Sequence, residues 1–150
     1  MKNVILFLFV LLPLSANAIK WKVLGPCSDK PLFQGTYEAD LKKSVGEISI
    51  EIFDKNKIPY VGVAAGFNSI NNSAIGLDAL EVVSDEVMRA YGWCYAVNGR
   101  MPKVMPDQVT PKNQEDTIAW FYGYSTNIQN EWTDYCVPGY QIKAAQFCEK

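Results

Sequence analysis

The chain contains no histidine. That removes the side chain most often used as a general base near neutral pH and the commonest nitrogen ligand for a transition metal. It has no Cys-x-x-Cys pair, so neither a zinc site built on close cysteines nor a dithiol redox motif is available. Neither charge sign is gathered into a block, which leaves no broad footprint for nucleic acid and no polybasic patch for a membrane. Beyond the first eighteen residues no apolar run approaches the roughly 20 residues that a spanning helix needs. Binding remains, together with catalysis by carboxylate, lysine or tyrosine.

What is present begins with an export leader. Lys2 precedes the apolar run from Val4 to Leu14, and Ala16-Asn17-Ala18 offers small residues at both positions a signal peptidase reads. Cleavage is expected after Ala18, leaving residues 19–150 as one secreted or periplasmic domain. A lipid-anchored product would need a cysteine at the cleavage point, and the nearest is Cys27. Four cysteines, Cys27, Cys94, Cys136 and Cys148, form an even set in an exported chain and predict two disulfides. Three pairings are open. Cys136 with Cys148 closes the shortest loop and would leave Cys27 to tie the N-terminal arm to Cys94.

Read for periodicity, residues 19–43 form an irregular arm. Ile48, Ile50 and Ile52 alternate with Glu47, Ser49 and Glu51, predicting a strand over 46–53 with one wet face. A turn at 54–57 leads to a short partner strand over 58–63, where Pro59 argues for an edge. Residues 66–73 read as a loop. Leu77, Leu80, Val83, Val87 and Tyr91 recur at helical steps and predict a helix over roughly 74–90, capped by Ser73 or Asp78 and open to a break at Ser84-Asp85-Glu86. Trp93 to Val97 is a strand that ends at Asn98-Gly99, the pair best suited to a tight turn. Residues 100–115 are a loop punctuated by Pro102, Pro106 and Pro111, and Thr117 to Tyr124 is a second aromatic strand. Residues 135–142 supply a last strand, interrupted at Pro138-Gly139. Several strands around one helix, without regular alternation, make an α+β domain with a mixed or antiparallel sheet.

The aromatic strands carry the candidate site. Alternation puts Trp93, Tyr95 and Val97 on one face and Ile118, Trp120, Tyr122 and Tyr124 on one face of the other strand. Such rows either fill a core or grip a ligand. With Cys94 and Phe121 on the opposite faces, one side is expected to hold the helix and the other to expose an aromatic shelf, with Trp93, Tyr95, Asn98, Trp120 and Tyr122 as ligand-binding candidates. The acidic pairs Asp85-Glu86 and Glu115-Asp116 invite a glycosidase reading, but neighbouring acids in turns usually serve as solvated or capping groups. Asp54-Lys55-Asn56-Lys57 opens like a calcium loop, yet Ile58 and Pro59 stand where a ligand and the required glycine belong.

The run from Gly92 to Gly99, the proline-containing loop and then Asp116-Thr117-Ile118-Ala119-Trp120 resemble the transcobalamin-like C-terminal domain family, which includes bacterial secreted members; Leu77-Asp78-Ala79-Leu80-Glu81 resembles the helix segment that precedes this pattern. The resemblance covers roughly residues 46–124. It implies a β-grasp-like fold, a small mixed sheet packed on one helix, here with disulfide-tied N- and C-terminal extensions. In eukaryotic relatives this domain forms one side of a cobalamin site with a separate helical domain, a partner this chain lacks. Three functional readings follow, the first two without catalysis. One is a module that holds a cobalamin-like or other small planar ligand through its strand aromatics. The other is a secreted or envelope-associated domain that contacts a protein through a sheet edge near Pro59 and the 100–115 loop, with Arg100, Met101 and Lys103 at the contact. A hydrolase built on Glu115 and Asp116 is the third.

Overall fold

The structure is a computed structural model and describes residues 17–149. The predicted leader lies outside those residues except for Asn17 and Ala18. The first strand, β1 (Ile19–Leu24), begins at the residue after the expected cleavage point, and β2 (Phe33–Tyr37) returns antiparallel to it. The 19–43 segment is therefore a hairpin, not an irregular arm. Ile19, Trp21 and Val23 are buried while Lys20 and Lys22 are exposed, the alternation of a strand with one wet face.

The helix α1 (Val45–Asn56) occupies the segment read as a strand. Ser44 accepts the Glu47 N–H at 3.2 Å while Glu47 accepts the Ser44 N–H at 2.8 Å, so the capping box satisfies two otherwise orphaned donors. Val45, Ile48, Ser49, Ile52 and Phe53 make one buried stripe at helical spacing. The isoleucines at 48, 50 and 52 also fit a two-residue period, and burial of the longer stripe decided the matter. At its C-terminus Lys57 takes a left-handed conformation (φ 55°) that closes the last turn.

Two further hairpins correct the sequence reading. β3 (Tyr60–Val63) pairs with β4 (Gly66–Ile70) as a separate two-stranded sheet, so residues 66–70 are strand and not loop. The predicted helix over 74–90 is instead a single turn of 3-10 helix at Gly76–Ala79, then β5 (Leu80–Ser84) and the start of β6 (Val87–Val97). Leu77, which should anchor a helical face, is 85% exposed. Ser84-Asp85-Glu86 is the β5–β6 hairpin turn, with Ser84 Oγ accepting the Glu86 N–H.

β6 pairs along its whole length with β7 (Thr117–Ile128), and both predicted aromatic strands fall inside this pair. On its other edge β7 runs parallel to β1 as far as Phe121, then antiparallel to β8 (Glu131–Pro138) from Gly123 onward. The main sheet has the order β2-β1-β7-β6-β5, with β8 beside β7. The result is α+β: a curled, mostly antiparallel sheet with one main helix. Its core gathers Ile19, Val23, Ile118 and Trp120 against Ile48, Ile52 and Phe53 of α1 and Phe67 and Ile70 of β4. Burying these side chains contributes roughly 1.5–3 kcal/mol each.

Both disulfides form, and both differ from the local pairing. Cys27 joins Cys148 in the short helix α2 (Ala145–Cys148), and Cys94 of β6 joins Cys136 of β8 across β7. Two disulfides fit an oxidising compartment. Among the described residues no helix is long and apolar enough to cross a membrane.

Candidate functional site

Register brings four of the five candidates together. Trp93 stands opposite Tyr122, and Tyr95 opposite Trp120, so the two aromatic rows share one sheet face. That face is the covered one. Trp120 is 3% and Tyr122 1% exposed, and Tyr95 is buried, so three of the four rings pack the interior and the expected exposed shelf of these residues does not form. Each polar handle is spoken for within the protein. The Trp120 indole donates to Ser49 Oγ at 2.9 Å, and the Tyr122 hydroxyl donates to the Ala74 carbonyl at 2.9 Å, with its pKa pushed up by burial to about 12. The Tyr95 hydroxyl donates to the Val104 carbonyl at 2.7 Å and thereby holds the long loop against the sheet; burial, with the Asp107 charge, raises its pKa.

Asn98 is apart from this row and is structural. Asn98 and Gly99 both have positive φ (52° and 73°), as a tight turn requires, and Val97 and Arg100 close it through backbone hydrogen bonds in both directions. The turn does not lead into a following strand; the chain leaves on the 100–116 loop. The Asn98 amide donates to Asp116 Oδ1 at 2.9 Å, while its carbonyl oxygen accepts the Thr117 N–H at 2.8 Å. Asp116 also accepts the backbone N–H groups of Lys112 and Asn113. Burial would raise the Asp116 pKa, but the donors from Asn98, Lys112 and Asn113 outweigh it and the net shift is downward. Asp116 is thus a loop clasp, and its neighbour Glu115 is exposed. Asp85 and Glu86 are exposed in the hairpin turn.

Trp93 is the exception in the aromatic row. It is half-buried, with its indole donating to Ser73 Oγ at 2.8 Å, and it stands where β6 has lost its neighbour. The Asn98 N–H donates to the Thr117 carbonyl, so even-numbered residues of β6 turn their backbone groups toward β7 and odd-numbered residues turn theirs away. Going outward, β5 serves β6 only as far as Ala90, and Val97 is closed by Arg100. Between them, among the described residues, no strand pairs with the N–H and C=O groups of Trp93 and Tyr95. Beside this stretch lies a cleft of about 370 Å³. Residues 65–68 of the β3–β4 hairpin form one wall, and Met101, Pro102, Met105 and Pro106 form the other. A neighbouring hollow of about 480 Å³ toward Leu80 shares Phe67, Asn68 and Trp93 with it. Met101 and Met105 are exposed large hydrophobic residues, and Arg100 and Lys103 flank them in solvent.

Sequence reasoning selected Trp93 and Tyr95, and named Met101 with Arg100 and Lys103 as a loop contact, but not Met105 or the wall from β4. The signal for the first was a second exposed-type hydrophobic in the same proline-rich loop. Nothing signalled the second, because residues 66–70 read as loop. Near Pro59, β3 pairs on one side only among the described residues, with Val61 and Val63 exposed.

No family model matches the chain, and no curated protein matches it. Among solved structures, one that is similar is described as "a putative metal binding protein" from Ruminococcus gnavus ATCC 29149, with 14% identity over 71% of this chain and 98% of that chain and a TM-score of 0.44. Likeness at that level supports no inference of family or role. Among the described residues no group of three or more histidine, cysteine, aspartate or glutamate side chains is placed to hold a metal ion.

Proposed function

We propose that this protein is an exported, non-catalytic binding module of β-grasp type that takes an extended peptide segment of another secreted or envelope protein along the open edge of β6. The β-grasp reading, and with it the transcobalamin-like resemblance, draws support from the chain order: an antiparallel hairpin, a helix, and a return strand, β7, parallel to β1 in a mixed sheet. Export draws support from the two disulfides.

One observation carries the binding role. Among the described residues, backbone donors and acceptors at Trp93 and Tyr95 have no strand partner, at strand spacing, beside a cleft whose walls are mainly apolar. An added strand matches such a row bond for bond, while alternate side chains enter the flanking hollows. Methionine walls adapt to side chains of different shape. Arg100 and Lys103 favour acidic residues in the peptide next to its apolar positions.

Selection of extended peptides from a displayed random library tests this. Enriched sequences are expected to alternate apolar residues with acidic neighbours. Methylating backbone nitrogens of the peptide should abolish binding at every second position and leave the others unaffected, and Met105→Glu should weaken binding about tenfold or more. Failure to enrich any sequence, or binding indifferent to backbone methylation, would overturn the proposal. Cobalamin belongs in the same experiment, because saturable quenching of tryptophan emission by a corrinoid would favour the small-ligand reading instead.

A further inference from the structure

The face of the β6–β7 pair away from α1 holds a second concavity, which shares Trp93, Cys94 and Cys136 with the cleft at the β6 edge. Its floor is a cross-strand pair of glycines, Gly92 and Gly123, extended by Ser125. Its walls are Trp132 and Tyr135 of β8 and the Cys94–Cys136 disulfide, enclosing a trough of about 480 Å³ open to solvent on one side. The two glycines are not equivalent. A Cβ on Gly123 would lie 3.0 Å from the Val137 carbonyl oxygen and 3.4 Å from Cys94 Sγ, so close approach of β8 and the disulfide accounts for that glycine. A Cβ on Gly92 would meet nothing within 4 Å, and Gly92 is not among the residues with positive φ. A glycine inside a strand weakens it, and where neither packing nor backbone requires one the missing side chain keeps space free.

The walls are presented outward by an irregularity in β8. Tyr124 pairs with Val137 and Thr126 with Thr133, so three residues, Asp134, Tyr135 and Cys136, stand opposite Ser125 alone. Asp134 and Cys136 both take left-handed conformations (φ 52° and 54°), and the Cys136 N–H donates to Ser125 Oγ. Tyr135 between them is left 68% exposed, and Trp132 is 43% exposed. Two large rings held in water above an empty glycine floor are a costly arrangement unless something lies on them.

From this geometry we infer that the trough binds a pyranose ring of a neutral glycan. Such a ring has one face of aliphatic C–H groups, which suits Trp132, Tyr135 and the bare floor, and a rim of hydroxyls that stays in water at the open side. A flat aromatic ligand would leave its second face uncovered there. The lining contains no lysine or arginine, and the exposed acids Glu131 and Asp134 stand beside it, which disfavours phosphate and carboxylate ligands. Gly92 permits the ring to approach the strand backbone.

Titrating the oxidised protein with cellohexaose, maltohexaose, laminarihexaose and chitohexaose while following tryptophan emission tests the assignment. At least one is expected to give a saturable change below about 10 mM, the weak end for a single-ring site. Tyr135→Ala should weaken that response about tenfold or more, and Gly92→Val, which fills the floor, should do the same, while Met105→Glu leaves it unchanged. Circular dichroism of each variant separates lost binding from lost folding. No saturable response to any of the four, a response that survives Gly92→Val, or a response only to riboflavin as a flat aromatic control would overturn the inference.

Discussion

The same substitution, glycine to alanine, should act with opposite sign at two positions. Gly46 lies in the first turn of α1, where alanine is intrinsically better by up to about 1 kcal/mol. A Cβ there would sit well inside contact with the Ala64 carbonyl oxygen, with the carbonyl carbon at 2.6 Å and Cα at 2.8 Å. All three obstacles are backbone atoms of the tight β3–β4 turn, so no side chain can rotate away and the helix and hairpin must part. Overpacking of this kind costs about 1–3 kcal/mol, and rigid obstacles put Gly46→Ala at the upper end, for a net loss of about 2 kcal/mol after the propensity gain. Gly92→Ala meets open space at a φ that alanine tolerates and should gain about 0.4–1 kcal/mol by restricting the unfolded chain. Urea unfolding of the oxidised proteins reads both as shifts of midpoint at unchanged slope. A Gly46→Ala midpoint at or above that of the parent would refute the claimed contact of α1 with the hairpin, and a Gly92→Ala midpoint below the parent's would refute the open space above β6.

Ser49→Ala should cost about 1–3 kcal/mol, because Trp120 Nε1 would then be buried without its acceptor; a urea midpoint equal to the parent's, measured together with Trp120→Phe as a double-mutant cycle, would show that the pair is not coupled. Asp116 has a folded-state pKa below its usual value, so its stabilisation is fully present above the unfolded carboxylate value near about 4 and is lost as pH falls through the lower folded value. Asp116→Asn should therefore unfold at lower urea than the parent near neutral pH, with the difference closing in acid; a difference that stays constant down to about pH 2 would refute the clasp.

The parts of this fold legible in the sequence are those where local pattern and tertiary environment demand the same thing. Residues 93–97 and 117–124 alternate because each strand has a neighbour and a covered face, and no competing local preference opposes them. In α1, the isoleucines at 48, 50 and 52 satisfy two periods at once, and β-branched residues tip an isolated reading toward strand. The discriminating signal was Ser44-x-x-Glu47, a capping box that has no meaning in a strand. Residues 77–91 failed in the reverse direction: a three-four spacing is present, but Leu77 and Val83 point into solvent, and β6 instead pairs with β7 along its whole length. For the site, Trp93 and Tyr95 were readable as aromatic strand residues, but the face they share was the covered one. Whether a row of rings is core or ligand shelf depends on which face α1 takes, and that is decided by residues distant in sequence. Tyr135 and Trp132 were illegible for a further reason, since their exposure follows from the β8 irregularity and the Cys94–Cys136 bridge, a pairing that spacing alone could not choose.

The covalent links also bear on what can fill the open edge. An unpaired strand edge inside a protein is most simply covered by the chain's own next segment, and here the 131–148 segment is the nearest candidate in sequence after β7. Cys136 is fixed to Cys94 across β7, which commits β8 to the far edge of that strand, and Cys148 is fixed to Cys27 beyond β1. The segment does reach β6 through side chains, since Phe147 packs on Tyr91 with ring centroids 4.8 Å apart and Cys136 lines the cleft, but among the described residues it forms no ladder with the outer edge of β6. For β8 to pair along that edge it would have to leave its ladder with β7 and strain or break the Cys94–Cys136 link. The loop 100–116, the other neighbour, is pinned at the Tyr95 hydroxyl and at Asp116 in a position that forms the wall of the cleft and not its filling. Among the described residues neither segment forms a ladder with Trp93 and Tyr95, so a peptide that pairs with them would gain its ladder without displacing a strand of the fold.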